Sequence, residues 1–510
     1  MNKLARLDQK FVWHPFTQMR DWLRREPIVI VAGRGAVLYD AKDKAYLDAN
    51  SSIWTNLHGH RHPGISAAIS RQLRRISHSS ALGLANEPAS LLAEKLVGIA
   101  DCGLPVADSK SLRPLKPIPE SKVPNPQLSK VFFSDNGSTA LEVALKLAYE
   151  FTRRTRGKLV GRASSRAAVP KFLSLEGAYH GDTLGAVSAG HIDLFHKAYV
   201  GMLFKTDKVM APYCYRCPFN RAKPERSDAR QYRKCHWECV GKVEQRFSAQ
   251  KKKGDRYGAF IFEPLMQGAA GMIPQPGGWL RQVTDIARAY GALLIADEVM
   301  TGFGRTGVPC HLDDKNISEI SRPSAAANLF ATARVGVLPD FLCVAKGLTG
   351  GYLPMAATLT TQKVFDAFLG EYEEFKTFFH GHSFTGNQLG AAAALASLDL
   401  LQSQSSVLQR TRLQKLMQDE LQTLWSLPQV GDIRQVGLVA GIELVKNWRT
   451  REPFVLRERA GIRVCAAMSR RGVLTRPVGN VIVLMPPYCT TKTQMQTMAS
   501  ALREAIMEVC

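Results

Sequence analysis

Residues 131–151 read VFFSDNGSTALEVALKLAYEF. An apolar strand signal ends in polar and small residues at 135–138. A helical pattern follows, with Leu141, Leu145 and Ala148 on one face. A strand that passes through a glycine turn into an amphipathic helix is half of a βαβ unit, so this stretch points to helices packed on a sheet. Free N–H groups at a helix start bind phosphate, and Gly137 lets an anion approach closely. An ordinary capped turn has the same pattern, so the stretch alone does not settle a ligand.

The alternation continues on both sides. Strands are expected near 28–31, 37–39, 172–175, 259–263, 292–297 and 341–345, and helices near 65–76, 88–99, 138–153, 279–290 and 389–401. This order predicts an α/β fold with a mostly parallel sheet covered by helices. Stretches near 103–128, 155–170 and 313–338 read as loop insertions. Three parts are expected: 1–75 as the N-terminal part of a small domain, 76–388 as a large domain, and 389–510 as a C-terminal α+β section of the small domain.

The 510 residues are 45% hydrophobic and 22% charged, enough for a large core. No apolar run has membrane-spanning length, and 1–15 lacks the apolar core of a secretion signal, so a soluble cytoplasmic protein is expected. Isolated cysteines in apolar settings, such as Cys343 and Cys465, suit a reduced compartment. The formal charge of +23 raises nucleic-acid binding. The basic residues are scattered and no helix carries a continuous basic face, so a solvated basic surface is the simpler reading.

Four further stretches carry chemistry. In ALLIADEVMTGFGRTG (292–307), an apolar strand delivers Asp297 and Glu298 to its carboxyl end, where α/β sheets bind ligands. In PDFLCVAKGLTGGYLPM (339–355), Lys346 follows a buried strand. Burial is costly for a lysine but frees its amine for imine chemistry. In LEGAYHGDT (175–183), Tyr179 and His180 lie among glycines, and an aromatic there can cover a flat ring; Asp182 can brace the loop. In FFHGHSFTGNQLG (378–390), Ser383 and Thr385 precede a helix, as a phosphate contact or as simple caps. Arg476, in LTRPVGNVIVLMPP (474–487), is a candidate clamp for a carboxylate. Together these are the needs of pyridoxal phosphate: a phosphate cradle, a ring stack, a partner for the ring nitrogen, an imine lysine and a substrate clamp. Transamination then needs Lys346 to move a proton as base and acid.

These motifs, with WHPFTQM (13–19) and SSIWTNLHGH (51–60), resemble the class III (ω-amino-acid) aminotransferases of fold type I. The resemblance covers most of the chain outside the loop insertions. It implies a large domain with a mostly parallel seven-stranded sheet, a smaller α+β domain, and a homodimer with shared sites acting on small molecules. It implies that Gly137 and Ser138 hold the phosphate, Tyr179 flanks ring and substrate, Asp297 pairs with the ring nitrogen, and Lys346 binds the cofactor. His382 would contact the cofactor, Ser383 would reach its phosphate from the neighbouring subunit, and Phe16, Ile53, Trp54, Tyr179, Lys346, Gly381 and Arg476 would contact substrate. Within the family the chain is similar to the branch acting in biotin synthesis, which converts 8-amino-7-oxononanoate to 7,8-diaminononanoate. Members using S-adenosylmethionine as donor often have Tyr where Phe16 stands and Trp where Ile53 stands, so L-lysine is the alternative donor. Other activities considered are transamination of another ω-amino acid or a diamine, and non-catalytic binding with a relic site. Intact Lys346 and Asp297 speak against the relic.

Cys214, Cys217, Cys235 and Cys239 lie in PYCYRCPFN (212–220) and RKCHWEC (233–239). The spacing suits tetrahedral zinc, with His236 as a spare ligand, or a loop of reduced thiols. Transamination needs no metal, so none is assigned.

Overall fold

The computed structural model describes residues 2–100, 127–159, 169–307 and 329–510. A seven-stranded sheet lies at its centre. In chain order its strands are β1 (Leu128–Ser134), β2 (Lys171–Leu175), β3 (Asp207–Val209), β4 (Tyr257–Phe262), β5 (Leu293–Asp297), β6 (Phe341–Val344) and β7 (Ala356–Thr361). Their spatial order is β1-β7-β6-β5-β4-β2-β3. The pairings from β6 through β3 are parallel, and β7 runs antiparallel to both β6 and β1.

The strands are buried on both faces, and the twofold period of the pleat divides their side chains between two cores. Phe260, Phe262, Leu294, Ala296, Leu342 and Val344 enter the larger core. Ala259, Ile261, Ile295, Phe341 and Cys343 enter the other, against Leu141, Leu145 and Ala148 of the helix Gly137–Leu159. The helical face expected from sequence is the face that packs.

Two smaller sheets flank the central one. Ile30–Arg34, Val37–Asp40 and Ala45–Asp48 form a meander, and Val473–Leu474 from late in the chain joins it in parallel. Val430–Val436, Val439–Asn447, Val481–Leu484 and Pro477–Val478 form an antiparallel sheet, with Glu452–Pro453 paired to Val439–Asn447.

One loop expectation needs correction. The end of the 313–338 segment is buried structure: Leu329 and Phe330 are core residues, and Ala331–Arg334 forms a helical turn. The backbone N–H groups of Ala331 and Thr332 and the Thr332 hydroxyl all donate to Glu298 at 2.6–2.7 Å. Glu298 is thus a buried anchor for that turn. The rest of that segment up to 328, and the segments near 103–128 and 155–170 for the most part, lie outside the described residues. Among the described residues, no helix is long and apolar enough to cross a membrane.

Candidate active site

The carboxyl ends of the parallel strands open into a cavity of about 700 Å³. Its lining includes Trp54, Gly137, Ser138, Tyr179, Asp297 and Lys346. Residues far apart in sequence, from five separate elements, therefore meet at one place.

At the phosphate-type turn, Asn136 and Thr139 cap each other: each backbone N–H donates to the other's side-chain oxygen at 3.1 Å. This fixes the start of the helix Gly137–Leu159, whose first N–H groups lie beyond the reach of helical bonding. A Cβ on Gly137 would sit 2.7 Å from Val299 Cγ1, so only glycine permits the close packing there. Ser138 Oγ accepts the Asp182 N–H at 3.1 Å and ties this turn to the aromatic one. A Cβ on Gly181, at φ +121°, would meet Ser138 Oγ at 1.9 Å.

Tyr179 donates its phenol to Asp182 Oδ2 at 2.6 Å and stacks on His196. Burial, with Asp182 nearby, raises its pKa above the ordinary tyrosine range, so it stays a neutral donor. Phe195 lies edge-on to both His196 and Phe16, so a row of rings leads from Tyr179 to Phe16. Asp297 ends β5, and its Oδ2 lies 2.7 Å from His180 Nδ1, with both side chains buried. The other imidazole nitrogen, Nε2, is buried with no partner among the described residues.

Lys346 follows β6 at φ +34°. Its Nζ lies 5.0 Å from the centre of the Trp54 ring. Burial lowers its pKa below the ordinary lysine range, opposed by Asp297 and Glu263. A buried amine without a close ion-pair partner is a reactive one. Trp54 is delivered by four successive left-handed residues, Ser51, Ser52, Ile53 and Trp54, with φ between +46° and +71°. Such backbone persists only where its surroundings hold it. Here Asp48 accepts from the Ser52 N–H at 2.9 Å and from its hydroxyl at 2.8 Å, and Ser51 Oγ donates to Met485 O.

Pyridoxal phosphate fits these residues. The Lys346 amine, the Asp297 carboxylate and the first residues of the helix, Gly137 and Ser138, line one cavity, and the buried His180 beside Asp297 has a ring nitrogen without a partner among the described residues.

Other expected residues stand apart. Phe16 and Ile53 are half exposed outside the lining. Gly381, His382 and Ser383 are exposed; His382 Nδ1 lies 3.4 Å from Asp135 Oδ2, and Ser383 O accepts from His78. Arg476 is exposed beside Pro477–Val478, outside the cavity lining. Sequence reasoning assigned no role to Glu263, Asp135, Asn136, Met300 or 352–355, which also line the cavity. Glu263 had a signal, since it follows an apolar strand just as Asp297 does.

The cysteine segment forms a compact knuckle. Arg221 N–H donates to Lys234 O, and Asn220 Oδ1 accepts from Lys234 N–H. Cys214, Cys217, Cys235 and Cys239 are free thiols, and burial pushes Cys214 and Cys239 up to about 12. Among the described residues, no group of three or more His, Cys, Asp or Glu is placed to hold a metal ion. The knuckle braces the site: Arg216 and Tyr213 both bond Glu443, which pairs with buried Arg434 at 2.6 Å. Arg434 in turn donates to Gly271 O and Met272 O, in the hairpin beside the cavity.

The chain is 43% identical over 502 residues to a Geobacter sulfurreducens protein named adenosylmethionine-8-amino-7-oxononanoate aminotransferase, covering 98% of this chain and 97% of that one. An Aquifex aeolicus protein of the same name is 39% identical over 99% of this chain and 97% of its own. The crystal structure of the Methanocaldococcus jannaschii protein of that name superposes with a TM-score of 0.79 at 36% identity, covering 99% of each chain. An amine transaminase from an uncultivated Pseudomonas species, solved in its pyridoxal-phosphate-bound form, gives 0.80 at 28% identity over 98% of this chain and 99% of its own. The family profile described as aminotransferase class-III matches residues 19–316 and 323–506. With that match over nearly its whole length and a buried lysine facing an aspartate across one cavity, the chain belongs to the class III aminotransferases, which are pyridoxal-phosphate-dependent transaminases.

Proposed function

We propose that this enzyme transfers an amino group to 8-amino-7-oxononanoate, forming 7,8-diaminononanoate in biotin synthesis, with S-adenosylmethionine or L-lysine as donor. The observation that carries the substrate assignment is the near-complete alignment, at 43% identity, with a relative named for that acceptor. The cavity wall supports it: Trp54, Met300, Leu353, Pro354 and Met355 offer apolar surface to an aliphatic chain.

Pyridoxal phosphate, when bound, supplies an aldehyde that condenses with amines and a ring that accepts electrons. Gly137 and Ser138 would hold its phosphate at the helix start. Asp297 would pair with the ring nitrogen and keep it protonated, and His180 fixes the direction of that carboxylate. Lys346 Nζ would hold the cofactor through its aldehyde carbon and, once freed by substrate, would serve as the base that takes the proton from the amine-bearing carbon and as the acid that gives it back. Tyr179 and Trp54 flank the substrate, Phe16 and Ile53 border the donor, and Arg476 binds the acceptor's carboxylate. Gly381, His382 and Ser383 complete the site of the partner subunit in a homodimer, in keeping with their exposure outside their own chain's cavity. Residues 1–75 and 389–510 make up a small domain beside 76–388, and the free cysteines suit a cytoplasmic enzyme.

The test is an assay of the loaded enzyme with 8-amino-7-oxononanoate, offering each donor separately and detecting diamine by mass spectrometry. Product with at least one donor is expected. A loaded enzyme that forms none with either contradicts the substrate assignment.

A further inference from the structure

Glu263 follows β4 immediately, and the register Ala296↔Phe262 sets it beside Asp297 at the carboxyl ends of two adjacent parallel strands. It lines the same cavity as Lys346, Asp297 and Tyr179. Its Oε1 accepts the Tyr179 N–H at 3.2 Å, and its Oε2 accepts the Gly268 N–H at 2.8 Å. Its backbone carbonyl accepts from Gln275 Nε2 at 2.9 Å, which fixes the strand end.

Two backbone donors facing two oxygens select one chemical form. A carboxylate accepts strongly on both oxygens, a protonated carboxyl accepts only weakly on its hydroxyl oxygen, and an amide presents a donor to one of the N–H groups. No lysine or arginine makes a salt bridge to Glu263 among the described residues. The charged and titratable groups facing it are His180 and Tyr179 from the turn after β2, Asp297 from β5, and Lys346 after β6. The hairpin Met266–Pro274 contributes backbone only.

We propose that Glu263 is a second acid of this site, a positioning residue whose carboxylate holds the Tyr179 and Gly268 turns and adds its negative charge to that of Asp297 on the Lys346 amine. The inference rests on the roles given above to Lys346 and Asp297. Burial, opposed by His180 and the two N–H bonds, pushes the Glu263 carboxyl up to about 7. As pH falls through that value, Glu263 takes up a proton, one backbone bond weakens, and the field on Lys346 weakens.

The test is a pH titration of the absorbance of the Lys346-bound cofactor in wild-type, Glu263→Gln and Glu263→Asp holoenzymes. In Glu263→Gln the midpoint is expected to fall by about one pH unit, because removing a negative charge that faces the amine disfavours its protonated form. Glu263→Asp keeps the charge and the midpoint but raises KM for the donor, because the shorter side chain releases the Tyr179 turn. Should Glu263→Gln fail to fold, difference infrared spectra of the wild-type enzyme across neutral pH serve instead. They are expected to contain a buried carboxyl band titrating near 7 that shifts in Glu263→Asp; absence of that band overturns the proposal. An unchanged midpoint in loaded, folded Glu263→Gln also overturns it while leaving the Lys346 assignment standing. Absence of the cofactor absorbance from the wild-type enzyme overturns both.

Discussion

His180 Nδ1 lies 2.7 Å from Asp297 Oδ2, and neither side chain is open to solvent. The bond joins the turn after β2 to the end of β5, so the aromatic turn and the acid keep a fixed separation. Replacing His180 with Phe removes the donor and leaves a buried carboxylate short of a partner. A hydrogen bond to a charged group contributes roughly 1.5–3 kcal/mol. Affinity for pyridoxal phosphate is therefore expected to fall roughly ten- to hundred-fold, as read by equilibrium dialysis. An unchanged affinity would mean that the pair is only a packing contact.

Asp48 holds the left-handed turn that delivers Trp54. Burial pushes its carboxyl up, but bonds from His60 and Ser52 outweigh this and hold it below the ordinary carboxylate range. A depressed carboxyl contributes stability that is complete above its unfolded value and lost as pH falls through its folded value. The window therefore lies below about pH 4. Asp48→Asn is expected to lower the melting temperature at neutral pH and to narrow its difference from wild type as the pH falls through that window. It is also expected to raise KM for substrate, since Trp54 loses its support. A difference independent of pH would contradict the clamp.

Gly181→Ala tests the contact between the two turns. The added carbon would need both a strained left-handed backbone and displacement of Ser138 Oγ. The backbone strain alone costs on the order of 1–3 kcal/mol. Lower thermal stability and weaker retention of pyridoxal phosphate are expected together. Loss of stability with retention unchanged would separate this turn from phosphate binding.

Arg434 is fully buried between Glu443 and Asp432 and also donates to the Gly271 and Met272 carbonyls. Removing one member of a buried ion pair costs about 3–5 kcal/mol, because the partner charge stays buried. Arg434→Met is expected to lower the urea unfolding midpoint accordingly. The double variant with Asp432→Leu is expected to recover part of that loss, because buried Asp432 relies on Arg434 for its ion pair, whereas Glu443 keeps Arg216 and Tyr213. Equal stabilities for wild type and Arg434→Met would contradict the pairing.

Much of this was legible from the chain because the central strands carry buried, continuous apolar runs, and their ends expose Asp297 and Lys346 at predictable points. The helix Gly137–Leu159 was legible from the face formed by Leu141, Leu145 and Ala148. Other features were not. The antiparallel strand Ala356–Thr361, AATLTT, has small and hydroxylated residues whose burial depends on neighbours at both edges. Glu298 read, with Asp297, as an acid at a ligand-facing strand end, yet it is an anchor for a helical turn more than thirty residues away. The left-handed run at Ser51–Trp54 leaves no sequence mark, because Ser, Ile and Trp disfavour that backbone and it is held by contacts to Asp48 and to the distant Met485 carbonyl. Distances between Arg476, Ser383 and the cavity depend on tertiary placement that no local pattern encodes.

The most direct measurement is to reduce the loaded enzyme with borohydride, digest it, and locate the pyridoxyl group by mass spectrometry. The expected result is one modified peptide carrying the group on Lys346, and no modification in Lys346→Ala. Modification at another lysine, such as half-buried Lys208, with Lys346 untouched, would contradict the assignment.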